Sequence, residues 1–121
     1  MVEITRVLLL LKNMVYESTS PQETIRFAKY YRKKGLDVVV VLWGPMGVLL
    51  GKKDKRGTPV YDRSVRECLD LGVRFKCCRL ACSMIGLQDD DFMEGIEVVE
   101  SFEVAEMFLE YQKEGQLIIS L

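Results

Sequence analysis

Apolar runs and amphipathic stretches alternate along the whole chain. Residues 4 to 11 (ITRVLLLL) are a short, nearly continuous apolar run, the pattern of a buried strand, and polar residues from Lys12 to Ser20 follow it. Ser20, Pro21 and Glu23 then spell a helix start: an N-cap, a proline at the first helical position where its missing N–H costs nothing, and an acid at the capping-box position. The predicted helix carries Ile25, Ala28 and Tyr31 on one side, sets Lys33 and Lys34 against the negative end of its dipole, and stops at Gly35. Residues 37 to 43 (DVVVVLW) are a β-branched run without polar alternation, as in a strand covered on both faces.

Gly44-Pro45 breaks this second strand, and a short apolar turn from Met46 to Leu50 leads into GKKDKRGTP, which reads as a mobile loop. After Pro59, residues Tyr61, Val65, Cys68 and Leu69 recur at helical spacing until Gly72. A short third strand is expected over 73 to 77, and a helix from Cys78 to Ile85 closing at Gly86. Asp89, Asp90 and Asp91 begin a single further turn, and residues 96 to 99 (IEVV) are a fourth strand. Ser101 is expected to cap the last helix, with Phe102, Ala105, Phe108 and Leu109 as its buried stripe and Gly115 as its stop. Residues 116 to 120 (QLIIS) close as a fifth strand. Strands alternating with helices imply right-handed βαβ units, hence an α/β fold with a mainly parallel five-stranded sheet and helices on both sides. The length of 121 residues, with neither repeat nor low-complexity tract, fits one domain over residues 1 to 121.

Composition narrows the chemistry. The chain holds no histidine, which removes Ser-His-Asp and Cys-His nucleophile schemes and His-ligated zinc, haem and di-iron sites. The net charge of −1 conceals two halves: residues 1 to 79 sum to +8, and residues 80 to 121, with Lys113 as their one base, to −9. The halves either solvate different faces or meet in a contact between proteins or with an anionic ligand. Neither long apolar run approaches the ~20 residues of a membrane-spanning helix, and nothing resembles a secretory signal. The expected location is therefore the cytoplasm, where the four cysteines stay reduced and are candidates for redox, sulfur or metal chemistry.

Cys78 is the most informative of them, because it falls where a strand ends and a helix begins. Open α/β sheets bind ligands at the carboxyl ends of their strands. A helix N-terminus and the nearby Arg74, Lys76 and Arg79 each favour thiolate over thiol, although a buried packing role is equally compatible with the position. Cys82, four residues on, shares a helical face with Cys78 and reads as core filler or a resolving thiol. Cys77 alternates with Val73 and Phe75 and points to the other face, and Cys68 lies in the apolar stripe of its helix. The spacing 68, 77, 78, 82 contains no Cys-x-x-Cys knuckle, so no metal site is expected. Gly44-Pro-Met-Gly47 lacks phosphate-loop spacing, which leaves no nucleotide cofactor in view. Lys52, Lys53, Lys55 and Arg56 have no interleaved aromatics and read as a solvated loop, not a nucleic-acid surface, and the three aspartates read as helix caps.

The stretch GVRFKCCRLACSMIGL, the acidic turn DDDFMEG, the IEVV strand, the closing KEGQLII and the upstream VVLWGPMGVLL together resemble the DsrE/DsrF-like (YchN-like, TusD-related) family. The resemblance covers nearly the whole chain. It implies a three-layer α/β/α fold, assembly into dimers, trimers or hexamers, and a sulfur-carrier role in which the strand-end cysteine holds sulfane sulfur as a persulfide for a relay partner. Cys78 alone matches that position. The resulting expectation is a cytoplasmic persulfide sulfurtransferase with Cys78 as carrier, Lys76 and Arg79 stabilising its thiolate, Cys82 accessory, and Gly44 with Met46 forming one pocket wall. The alternative is a non-enzymatic oligomeric module that binds a small anionic metabolite or a protein partner, with all four cysteines as packing.

Overall fold

The computed structural model describes residues 2–14, 16–55 and 59–121. Strands β1 (Arg6–Leu11), β2 (Asp37–Leu42), β3 (Arg74–Cys78), β4 (Ile96–Val99) and β5 (Leu117–Ser120) form one sheet in the order β4-β3-β2-β1-β5. Every pairing is parallel. The helices are α1 (Ser20–Lys33), α2 (Gly44–Gly47), α3 (Pro59–Leu71), α4 (Arg79–Met84) and α5 (Ser101–Lys113), with 3-10 turns at Val48–Gly51 and Asp89–Asp91.

Strand order and handedness together set the layers. Steps from β1 to β2, β3 and β4 proceed in one direction, so right-handed crossovers put their connecting helices on one face; the return from β4 to β5 puts α5 on the other. The two cores agree. Ile25 and Ala28 of α1, Val65 and Cys68 of α3, and Ala81 and Cys82 of α4 pack against Val7, Val40 and Phe75 on the first face. Val104 and Tyr111 of α5 pack against Leu8, Val39 and Val41 on the second. This is the expected three-layer α/β/α arrangement. Residues of β1 and β2 are buried on both sides, which explains their unbroken apolar runs.

Four local expectations are corrected. Thr19, not Ser20, is the N-cap of α1, and no side chain caps it; Ser18 Oγ instead accepts the backbone N–H of Ser20 at 3.2 Å. Glu100, not Ser101, caps α5, in a capping box closed by Glu103. The buried side of α5 is Val104 and Tyr111 with Met107 and Phe108 partly covered, whereas Phe102 and Leu109 stand exposed. Val104, Met107, Phe108 and Tyr111 make one helical stripe with Leu109 off it, and the Arg6 guanidinium lies over the Tyr111 ring, 4.2 Å from the centroid. The apolar turn after Gly44 is helical, and the loop behind it is pinned where it is described. Lys53 N–H donates to Asp91, Lys52 pairs with Phe92, and the Lys55 side chain is buried against Asp62 and the Lys52 carbonyl. Lys55 is thus no solvated base, and burial lowers its pKa despite Asp62. Arg56, Gly57 and Thr58 lie outside the described residues.

Candidate functional site

Adjacent strands β3 and β4 send their chains to opposite faces, β3 into α4 on the first and β4 into α5 on the second. Such a divergence at the carboxyl edge of a parallel sheet opens a crevice, the usual place for a ligand in this class of fold. Cys78 ends β3 and is the N-cap of α4; Val99, its register partner, ends β4, and α5 begins at Ser101. Cys78 Sγ and Ser101 Oγ are 3.5 Å apart across the crevice. Cys78 is only 3% exposed, while Leu80 and Met84 of α4 and Phe102 of α5 stand more than half exposed.

The two bases expected beside Cys78 are present but engaged. Lys76 Nζ pairs with Glu97 at 3.0 Å. Arg79 reaches Glu100 at 2.9 Å and Asp89 at 3.4 Å, tying the start of α4 to the cap of α5. Gly44 and Met46 lie on α2, which packs against α4. Residue 47 of α2 packs directly on the end of β1, where only glycine fits: a Cβ there would collide with the Leu11 carbonyl.

Cys82 does not join Cys78. It faces the first core beside Cys77, with a hydrogen bond between the two thiols. That hydrogen bond, helped by the charge of Arg79, holds the Cys82 thiol below its ordinary value against the cost of burial. The same bond and burial push Cys77 well up, and burial raises Cys68 to about 11. Among the described residues no group of three or more His, Cys, Asp or Glu side chains is placed to hold a metal ion. No described helix is long and apolar enough to cross a membrane.

Sequence reading missed two participants, Ser101 and Glu100. Each is 21 or more residues from its partner Cys78 or Arg79, and only the pairing of β3 with β4 brings them together. The available signal was position: both directly follow a strand that neighbours β3.

Comparison with other proteins gives the lineage. The uncharacterized protein MK0008 of Methanopyrus kandleri is 33% identical over 76 residues, 61% of this chain and 62% of that protein, so the match spans under two thirds of either. The ychN protein from E. coli superposes with a TM-score of 0.82 at 16% identity, covering 98% of this chain and 100% of the other. MTH1491 from Methanobacterium thermoautotrophicum superposes with a TM-score of 0.76 at 24% identity, covering 96% and 98%. At these identities the structural likeness shows the fold. Residues 5–120 match the DsrE/DsrF-like family, and the chain belongs to that family.

Proposed function

We propose that this protein is a cysteine-persulfide carrier with Cys78 as the carrying residue. The observation that supports this most is the place of Cys78, at the carboxyl end of β3 where the chain exits diverge, with a serine hydroxyl 3.5 Å from its sulfur. In loading, the Cys78 thiolate attacks the outer sulfur of a donor persulfide. A new S–S bond forms on Sγ, the donor's own S–S bond breaks, and the donor leaves as a thiolate. Hand-over repeats the step with an acceptor thiolate as nucleophile and Cys78 as leaving group. Electrons balance without oxidant, metal or histidine. The Ser101 hydroxyl donates a hydrogen bond to Sγ whenever that sulfur is anionic, before loading and after hand-over, and keeps its proton. Lys76, paired with Glu97, and Arg79, held between Glu100 and Asp89, are engaged by carboxylates and shape the crevice. In this reading the protein works in the cytoplasm as a homo-oligomer and passes sulfur to a relay partner.

Incubation with glutathione persulfide should add ~32 Da, one sulfur atom, to the wild-type mass and nothing to Cys78→Ser. Loading retained by that variant contradicts the assignment. The burial of all four thiols favours a second reading, a non-enzymatic oligomeric module for a small anionic metabolite or a protein partner. That reading gains if iodoacetamide modifies Cys78 at neutral pH no faster than free cysteine.

A further inference from the structure

A groove of about 280 Å³ runs along α5 from the Cys78 crevice, lined by Val99, Phe102, Glu103, Glu106, Glu110 and Lys76. Its near end adjoins the reacting sulfur: Val99 is the register partner of Cys78, and Phe102 follows Ser101. Phe102 is 68% exposed, an uncovered aromatic at the mouth of the crevice. The walls beyond it are acidic. Lys76 is committed to Glu97, and Glu103 accepts the Glu100 N–H at 2.7 Å; among the described residues neither Glu106 nor Glu110 has an ion-pair partner. Glu103, Glu106 and Glu110 follow at helical spacing, a line of carboxylates about 10 Å long.

We infer that this groove receives a basic segment of a second protein that brings the acceptor thiol to the Cys78 persulfide, an inference resting on the carrier reading. Phe102 offers an apolar anchor beside the sulfur, and lysines or arginines on the incoming segment answer the carboxylates. A second copy of this chain carries a basic half that would satisfy the charge. Sedimentation of the variants below distinguishes that occupant from a separate acceptor protein. The transferable sulfur stands about 2 Å beyond Sγ, so the acceptor approaches that outer atom and not the buried one. The acceptor thiolate attacks it, the bond to Sγ breaks, Cys78 departs as thiolate, and the acceptor leaves as the persulfide.

The test uses two synthetic peptides, Lys-Lys-Leu-Cys-Leu-Lys-Lys and its counterpart with glutamates for lysines, each also made with serine for cysteine. Binding of the serine forms to unloaded protein, followed by NMR shifts at α5, does not depend on persulfide chemistry. The basic form should bind and the acidic form should not. Transfer from loaded protein to the basic cysteine peptide should be about tenfold faster at low salt, and the advantage should shrink as salt screens it. Glu106→Gln with Glu110→Gln, both on the exposed side of α5, should remove most of the preference. Equal binding of both peptides, or a preference untouched by the double variant, overturns the inference. So does sedimentation showing that the double variant dissolves a self-associated form, because the groove then belongs to a second copy. If the serine peptides discriminate but the protein never loads, the carrier reading falls and the acidic docking groove stands.

Discussion

Cys77 and Cys78 follow one another in β3 and both belong to the buried core beneath α4, yet their sulfurs meet different partners. Cys77 is fully buried on the face covered by α1 and α3, shares a hydrogen bond with the Cys82 thiol, and packs so tightly that a Cβ on Gly51 would stand 3.3 Å from its sulfur. Cys78 is the last strand residue, where the pleat and the turn into α4 direct Sγ toward Ser101 at the head of α5. One thiol therefore lies wholly inside the core, and the other, at the edge of that core, reaches the hydroxyl at the head of α5. The lesson is that the exit of the chain, more than local composition, decides which of two adjacent cysteines stands at the carboxyl edge of the sheet.

The contrast between the two sides of β3 can be broken first by truncation. Phe75, 1% exposed on the Cys77 side, should cost about 3–5 kcal/mol on conversion to alanine, whereas Lys76→Ala on the Cys78 side should cost about 1 kcal/mol or less. Urea midpoints of the two variants give the comparison, and equal losses would refute the assigned faces.

A somewhat smaller effect comes from pH. Cys68 is raised in the folded protein from an ordinary 9.0 to about 11. Its contribution to stability is complete below pH 9, where the unfolded chain also keeps the proton, and is lost as pH rises through 9 toward 11. The loss amounts to about 3 kcal/mol. Cys77, also raised, acts in the same direction, while the lowered Cys82 opposes it. Urea unfolding between pH 8 and 11 should show a steeper decline for the wild type than for Cys68→Ala.

The smallest effect sharpens the Cys78 side. Ser101→Ala should slow persulfide hand-over several-fold, corresponding to about 1 kcal/mol for one hydrogen bond to sulfur, with stability changed by less than about 0.5 kcal/mol. Ser101→Thr keeps the hydroxyl and should restore most of the rate. A rate unchanged in Ser101→Ala removes the hydroxyl from the mechanism.

Much of the fold could be read from the chain because its signals are local. The β-branched run before Trp43 and the glycines at 35, 72, 86 and 115, all at positive φ, marked strands and helix ends to within a residue or two. Cys78 could be read for the same reason, since a strand end and a helix start are both local. The face of α5 was not legible. Apolar residues form two stripes on it, and the choice between the one with Leu109 and the one with Tyr111 is made by docking on Leu8, Val39 and Val41 of the sheet. The partnerships of Cys77 with Cys82, Lys55 with Asp62 and Arg79 with Glu100 were equally hidden. In each, a helix or loop must first be docked before charge or polarity has a partner.

Because Cys77 and Cys78 sit on a single proteolytic peptide, the central claim has a direct test. Loaded wild-type protein is trapped by alkylation, digested and fragmented so that the extra sulfur is located between the two residues. The account predicts the sulfur on Cys78, with Cys77, Cys82 and Cys68 unmodified; sulfur on Cys77 or Cys82, or none on any cysteine, contradicts it.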